Sequence, residues 1–281
     1  MNPRHQCVTA PLTLPKLTAP SPILMFRRMG ILGGMGPAAT IDFMSKLVKA
    51  TPASRDQDHI PMVVYAVPQI PDRTAALLDE GPSPFAALCD GLFALQRCAA
   101  DFICIPCNTA HEWYERLSKV ASVPILHIVD AVVEELQLAV PTARRIGLMA
   151  TSGTICARIY QNRAPKAFEW ELPTVTLQTQ SVMAAIAAVK CGNADEASQL
   201  LRPCFEYLVS GQMVDAIVLG CTELPLISNQ SQVPIPVIDS TNALARVGVR
   251  YATYARVTYT PIPDLSVAGE ERAPNTETPI T

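Results

Sequence analysis

Ala100-Asp101-Phe102-Ile103-Cys104-Ile105-Pro106-Cys107-Asn108-Thr109 returns later in the chain as Val214-Asp215-Ala216-Ile217-Val218-Leu219-Gly220-Cys221-Thr222-Glu223. Each segment is a short apolar run closed by turn residues, the pattern of a buried strand. An earlier pair matches as well: Arg28-Met29-Gly30-Ile31-Leu32-Gly33-Gly34-Met35-Gly36 resembles Arg145-Ile146-Gly147-Leu148-Met149-Ala150-Thr151-Ser152-Gly153. Val123-Pro124-Ile125 and Val233-Pro234-Ile235 follow, then Ile128-Val129-Asp130 and Val237-Ile238-Asp239. Gly30 lies 77 residues before Cys107, and Gly147 lies 74 before Cys221. Landmarks in one order at nearly equal spacing mark an internal duplication.

Within each copy, apolar runs alternate with helical stretches such as Pro84 to Cys98 and Ala194 to Gly211. That alternation predicts an α/β fold: two pseudo-symmetric three-layer domains with mainly parallel sheets and right-handed crossovers. Residues 29–131 read as the first domain and 132–239 as the second. A last helix, about Asn242 to Tyr254, places 240–259 back on the first. Residues 1–28 hold four basic residues, five prolines and no acid, and read as a disordered leader. Residues 260–281 read as a loose tail.

Composition narrows the function. Hydrophobic residues make up 49% and charged residues 17%, enough apolar material for a sizeable core. A net charge of -3 argues against a nucleic-acid partner, and no apolar run is long enough to suggest a membrane partner. Nine cysteines, an odd number without an export pattern, suggest reduced thiols in the cytoplasm rather than a disulfide framework. Four histidines are too few, and wrongly spaced, for a metal site, so no metal is expected. His111 reads as a packed or N–H-bonded histidine. Gly33, Gly34 and Gly36 form G-G-x-G, which fits a tight strand-to-helix turn better than a dinucleotide fingerprint.

Cys107 and Cys221 are the two cysteines at matched positions of the duplication. Both fall just past the end of a strand, where open parallel sheets bind ligands. A pseudo-twofold would set them face to face across a cleft. Asn108-Thr109 and Thr222-Glu223 are suitable helix N-caps, predicting helix starts whose dipoles hold a carboxylate and draw a thiol pKa toward neutrality. Cys104 and Cys107 also have C-x-x-C spacing, but Cys104 sits inside the strand, against a redox motif. Two similar acid–base groups on opposite faces of one carbon suit racemisation. One takes the α-hydrogen as thiolate while the other gives a proton as thiol. Donors on the substrate carboxylate would stabilise the carbanion-like state, so no cofactor is needed.

At Gly30-Ile-Leu-Gly-Gly-Met-Gly36, Cys107-Asn-Thr-Ala-His111 and Gly220-Cys-Thr-Glu223 the chain resembles the aspartate/glutamate racemase superfamily, most of all its aspartate racemases. Gln69-Ile-Pro-Asp72-Arg73-Thr74 and Lys190-Cys-Gly192 are similar too, and the resemblance runs from about Met29 to Tyr254. It implies two pseudo-symmetric domains, a two-thiol mechanism without pyridoxal, a homodimer and an amino-acid substrate. It implies that Arg73 and Lys190 hold the acidic side chain of the substrate. Asn108, Thr109 and Thr222 would hold the α-carboxylate, and Met35 would line the pocket. Glu223 by itself reads either as a carboxylate that orients Thr222 or the substrate amine, or as a plain helix cap. The Arg–Lys pair favours aspartate. Glutamate or hydantoin racemisation, maleate isomerisation and non-catalytic amino-acid binding are the alternatives. The turn Ala150-Thr-Ser-Gly-Thr154, with Ala157 where the family often has a hydroxyl, departs from the pattern, which counts against substrate contacts there.

Overall fold

The structure, a computed structural model, describes residues 24–227, 233–253 and 257–258. The leader expected over 1–28 lies outside the described residues as far as residue 23, and the tail over 260–281 does so entirely. The strands in chain order are β1 (Leu24–Met25), β2 (Met29–Gly33), β3 (Met62–Ala66), β4 (Phe102–Cys104), β5 (Ile125–Leu126), β6 (Arg145–Ala150), β7 (Glu169–Glu171), β8 (Ala216–Gly220), β9 (Val237–Asp239) and β10 (Val257–Thr258). β1 and β10 pair antiparallel with each other. Phe26–Ala255 form one compact unit that contains two four-stranded sheets.

Both sheets are parallel throughout and share one strand order: β3-β2-β4-β5 in the first, β7-β6-β8-β9 in the second. Their registers agree as well. Gly30 pairs with Ile103 and Gly147 pairs with Ile217, in each case four residues before the matched cysteine. The fold is thus the expected α/β architecture of two similar halves with parallel sheets.

Alternation along a strand sends successive side chains to opposite faces of the sheet. Phe102 and Cys104 in β4, and Ala216 and Val218 in β8, join one core shared by the two sheets. Ile103, Ile105 and Cys107 continue the other face of the first sheet; Ile217, Leu219 and Cys221 do the same in the second. Period two therefore puts Cys104 in the core and both matched cysteines on corresponding faces. In the shared core, helix Ser240–Thr253 packs on Pro37–Ala50 and Ile128–Ala139. A Cβ on Gly248 would lie 2.6 Å from Met29 Cε, so this helix closes onto the first sheet where it has no side chain.

Helix ends shift slightly from the sequence reading. Phe85–Arg97 replaces Pro84 to Cys98, and Ala194–Glu206 runs into a wider π turn, Tyr207–Gly211. The last helix begins at Ser240, because Asp239 Oδ1 accepts from the amides of Thr241 and Asn242 at 2.8 and 3.0 Å. Among the described residues no helix is long and apolar enough to cross a membrane.

Candidate active site

β4 ends at Cys104, and Ile105-Pro106 carries the chain into a turn that presents Cys107. β8 ends at Gly220 and leads directly into Cys221. Each cysteine is 5% exposed. Both line one cavity of about 20 Å³. Met35, Arg73, Asn108, Thr109, Lys190, Thr222 and Glu223 complete the set of sequence-expected residues, and all of them line the same cavity. Asp72, Thr74 and Thr151 join them. A wider cleft of about 560 Å³ shares Asp72, Arg73, Lys190 and Glu223 with it. A separate groove of about 490 Å³, between helix Ala194–Glu206 and Val233-Pro234, contains none of these residues.

The expected helix starts are corrected. Cys107 is followed by a 3-10 turn, Thr109–Trp113, that runs on into helix Tyr114–Val120, and Cys221 by a shorter 3-10 turn, Leu224–Leu226. Asn108 has helical backbone angles and caps nothing. Its side chain is engaged elsewhere. Tyr160 donates its hydroxyl to Asn108 Oδ1 at 2.7 Å, and Asn108 Nδ2 donates to Ser240 Oγ at 3.0 Å. Ser240 in turn donates to the Leu219 carbonyl at 2.7 Å, two residues before Cys221. A buried chain of hydrogen bonds thus joins the two cysteine turns. Thr109 Oγ1 lies 2.9 Å from both Thr151 Oγ1 and Thr154 Oγ1, a second link between the halves.

The sequence reading counted against the Thr151 turn and overlooked Tyr160 and Ser240. The duplication held the signal for Thr151, which follows β6 as Gly34 follows β2. Tyr160 and Ser240 left no local signal.

Arg73 is buried, at the first position of the short helix Arg73–Leu77, whose N-cap Asp72 accepts from the Ala75 amide. A cation at the positive end of a helix is unfavourable, as is burying one without a carboxylate. Its Nη1 donates to the carbonyls of Ile70 and Pro71, both at 2.9 Å, which fixes the guanidinium plane. Its buried Nε has no partner among the described residues. Arg73 is also among the residues that line the cavity. Lys190, exposed, ends helix Ala184–Lys190, where a cation is favoured.

The thiols do not follow the expected direction. Burial pushes Cys107 above the ordinary thiol range; Arg73, the Ala110 amide and Lys190 work against that, and Glu223 adds to it. Burial pushes Cys221 well above that range, and the Glu223 charge pushes it further. The groups at these turns do not offset that desolvation. Cys221 Sγ donates to Glu223 Oε2 at 3.1 Å, while Glu223 Oε1 is buried without a partner among the described residues. The pair is asymmetric: Arg73 favours ionisation of Cys107, and the Glu223 carboxylate accepts from Cys221.

Residues 32–248 match the Asp/Glu/hydantoin racemase family. The chain belongs to that family. It is 34% identical over 222 residues to the broad specificity amino-acid racemase RacX of Bacillus subtilis, covering 78% of this chain and 95% of that protein. Among solved structures, the aspartate racemase of Picrophilus torridus superposes with a TM-score of 0.71 at 33% identity, over 80% of this chain and 94% of the other. An aspartate racemase homologue from Pyrococcus horikoshii OT3 shares the fold, with a TM-score of 0.66 at 22% identity over 81% and 99% of the two chains. The chain is an amino-acid racemase.

Proposed function

We propose that the enzyme interconverts L- and D-aspartate without pyridoxal, using Cys107 and Cys221 as its acid–base pair. The observation that carries this reading is that two thiols from equivalent turns share one cavity with Arg73, whose buried Nε lacks a partner among the described residues. Arg73 and Lys190 receive the side-chain carboxylate. Asn108, Thr109 and Thr222 receive the α-carboxylate, and Glu223 Oε1 receives the α-ammonium. Such an amino acid needs more than about 20 Å³, so binding widens the cavity toward the neighbouring cleft.

Burial raises both thiols, Cys107 less than Cys221, so Cys107, with Arg73 near it, takes the thiolate role in the first half-reaction, and Cys221, with Glu223 against it, takes the thiol role. Cys107 takes the α-hydrogen as a proton, and its electron pair stays on the α-carbon, delocalised into the carboxylate. Cys221 delivers its proton to the opposite face and becomes the thiolate. The reverse reaction starts from that state, so charge and protons balance over a cycle. Free thiols are required throughout, which suits a cytoplasmic setting.

A wider substrate range is the second reading. It is favoured by the cleft of about 560 Å³ beside Arg73 and Lys190, and by the broad specificity of the Bacillus subtilis relative. The test is incubation with separate L-amino acids in deuterium oxide, following the α-hydrogen signal and optical rotation. Aspartate should lose both, and Cys107→Ser and Cys221→Ser should each stop the change. Full racemisation by either variant overturns the two-thiol reading.

A further inference from the structure

We propose that His111 is a positioning residue for the Cys107 half of the reaction, because its imidazole bridges the Cys107 carbonyl to the amide that opens helix Ile128–Ala139. The inference rests on the reading of Cys107 as one of the two acid–base groups.

His111 Nδ1 lies 2.9 Å from the Cys107 carbonyl oxygen, and the Ile128 amide donates to His111 Nε2 at 3.2 Å. A ring nitrogen that accepts from an amide carries no hydrogen. The hydrogen therefore resides on Nδ1, which donates to Cys107. Burial holds the ring neutral, with its pKa pushed down to about 4. The titratable rings packed on it are His127, with centroids 4.6 Å apart, and Tyr114 at 6.4 Å. The nearby charges, Arg163 and Asp130, are paired with each other at 2.6 Å.

Both ring bonds fix the Thr109–Trp113 turn on which His111 sits. That turn also supplies the Ala110 amide, which favours the Cys107 thiolate. Holding His111 thus holds the donor that offsets part of the desolvation of this sulfur. Cys221 is held differently, by Glu223 and by the Leu224 amide on its carbonyl. Loss of His111 should therefore fall on one face of the substrate.

The fold contains its own control. His127 caps the same helix, its Nδ1 accepting from the Val129 amide at 3.1 Å, and it makes no hydrogen bond to the Cys107 turn. A capping role alone would be shared by the two histidines. Only His111 reaches the thiol-bearing turn.

The experiment compares His111→Leu, His111→Gln and His127→Leu in the full chain. It measures kcat and KM for L- and D-aspartate, protiated and α-deuterated, together with the thermal midpoint. His111→Leu should lower kcat by roughly 100-fold with little change in KM, the scale of a misplaced reacting group. Its deuterium isotope effect should rise for one enantiomer only. His111→Gln, whose amide both donates and accepts, should recover most of the loss. His127→Leu should lower the midpoint with no such asymmetry. If His111→Leu does not fold, His111→Met, which donates nothing, takes its place. Equal kcat losses in His111→Leu and His127→Leu, or isotope effects rising equally for both enantiomers, would overturn this inference while Cys107 stays essential. Full racemisation by Cys107→Ser would remove the reading beneath it as well.

Discussion

Cys221 and Glu223 face each other across 3.1 Å, thiol to carboxylate, at the end of β8. The negative charge adds to burial in keeping the proton on sulfur. Glu223→Gln removes that charge and leaves the shape. Cys221 should then ionise at lower pH, and the proton it must donate is lost earlier. The alkaline limb of the kcat/KM profile should move to lower pH. KM should also rise, because Oε1 no longer offers a charge to the α-ammonium. An alkaline limb that stays where it is would detach Glu223 from Cys221.

In the proposed reaction Arg73 acts on both substrate and base. Its guanidinium is pinned to the Ile70 and Pro71 carbonyls, and its charge favours the Cys107 thiolate. Arg73→Ala should raise KM for aspartate about 10- to 100-fold, the range of a lost charge-assisted hydrogen bond. Smaller neutral amino acids should be affected less. The acid limb should move to higher pH, because Cys107 is harder to ionise without its cation. Arg73→Lys should recover little, since one ammonium cannot hold the Ile70 and Pro71 carbonyls and a carboxylate together. An unchanged substrate preference in Arg73→Ala would take Arg73 out of the pocket.

The duplication made the sheets and both cysteines legible, because strand alternation is a local property and Cys107 and Cys221 inherit it from Ile103 and Ile217. The supporting contacts were not legible. Asn108 meets Ser240 across 132 residues of chain, and nothing near either position announces the other. That contact also explains a failed expectation: a side chain held by Ser240 and Tyr160 cannot cap its own helix, so a 3-10 turn forms. The thiol shift was misjudged for a related reason. The sequence marked the nearby polar groups, whereas desolvation depends on how tightly the two halves close.

Gly153 is one place where the two halves approach closely. A Cβ there would lie 2.8 Å from Thr74 Cα, 2.9 Å from Thr74 Oγ1 and 3.2 Å from Thr109 Cγ2. Gly153→Ala must push helix Ser152–Cys156 off helix Arg73–Leu77, at about 1–3 kcal/mol, typical of overpacking. The melting midpoint should fall by roughly 2–12 °C for a domain of this size. KM should rise, because the Thr109–Thr151–Thr154 hydroxyl cluster spans the same seam. Wild-type melting and kinetics in this variant would mean that the seam opens freely.

His111 and His127 both accept amide hydrogens at the start of helix Ile128–Ala139, so each must be neutral in the folded chain. Burial lowers the first to about 4, and burial with His111 beside it lowers the second further. An unfolded histidine titrates near 6.5. Between these limits the unfolded chain binds more protons, so the stabilising contribution is complete above about pH 6.5 and is lost as pH falls. Each histidine should contribute up to about 1.4 kcal/mol of lost stability per pH unit in that window. Urea midpoints measured from pH 7.5 to 5 should therefore decline before most carboxylates titrate. His111→Gln should roughly halve the slope, since one of the two titrating rings is gone while its hydrogen bonds are kept. Identical slopes in the two proteins would show that His111 is not the group being protonated.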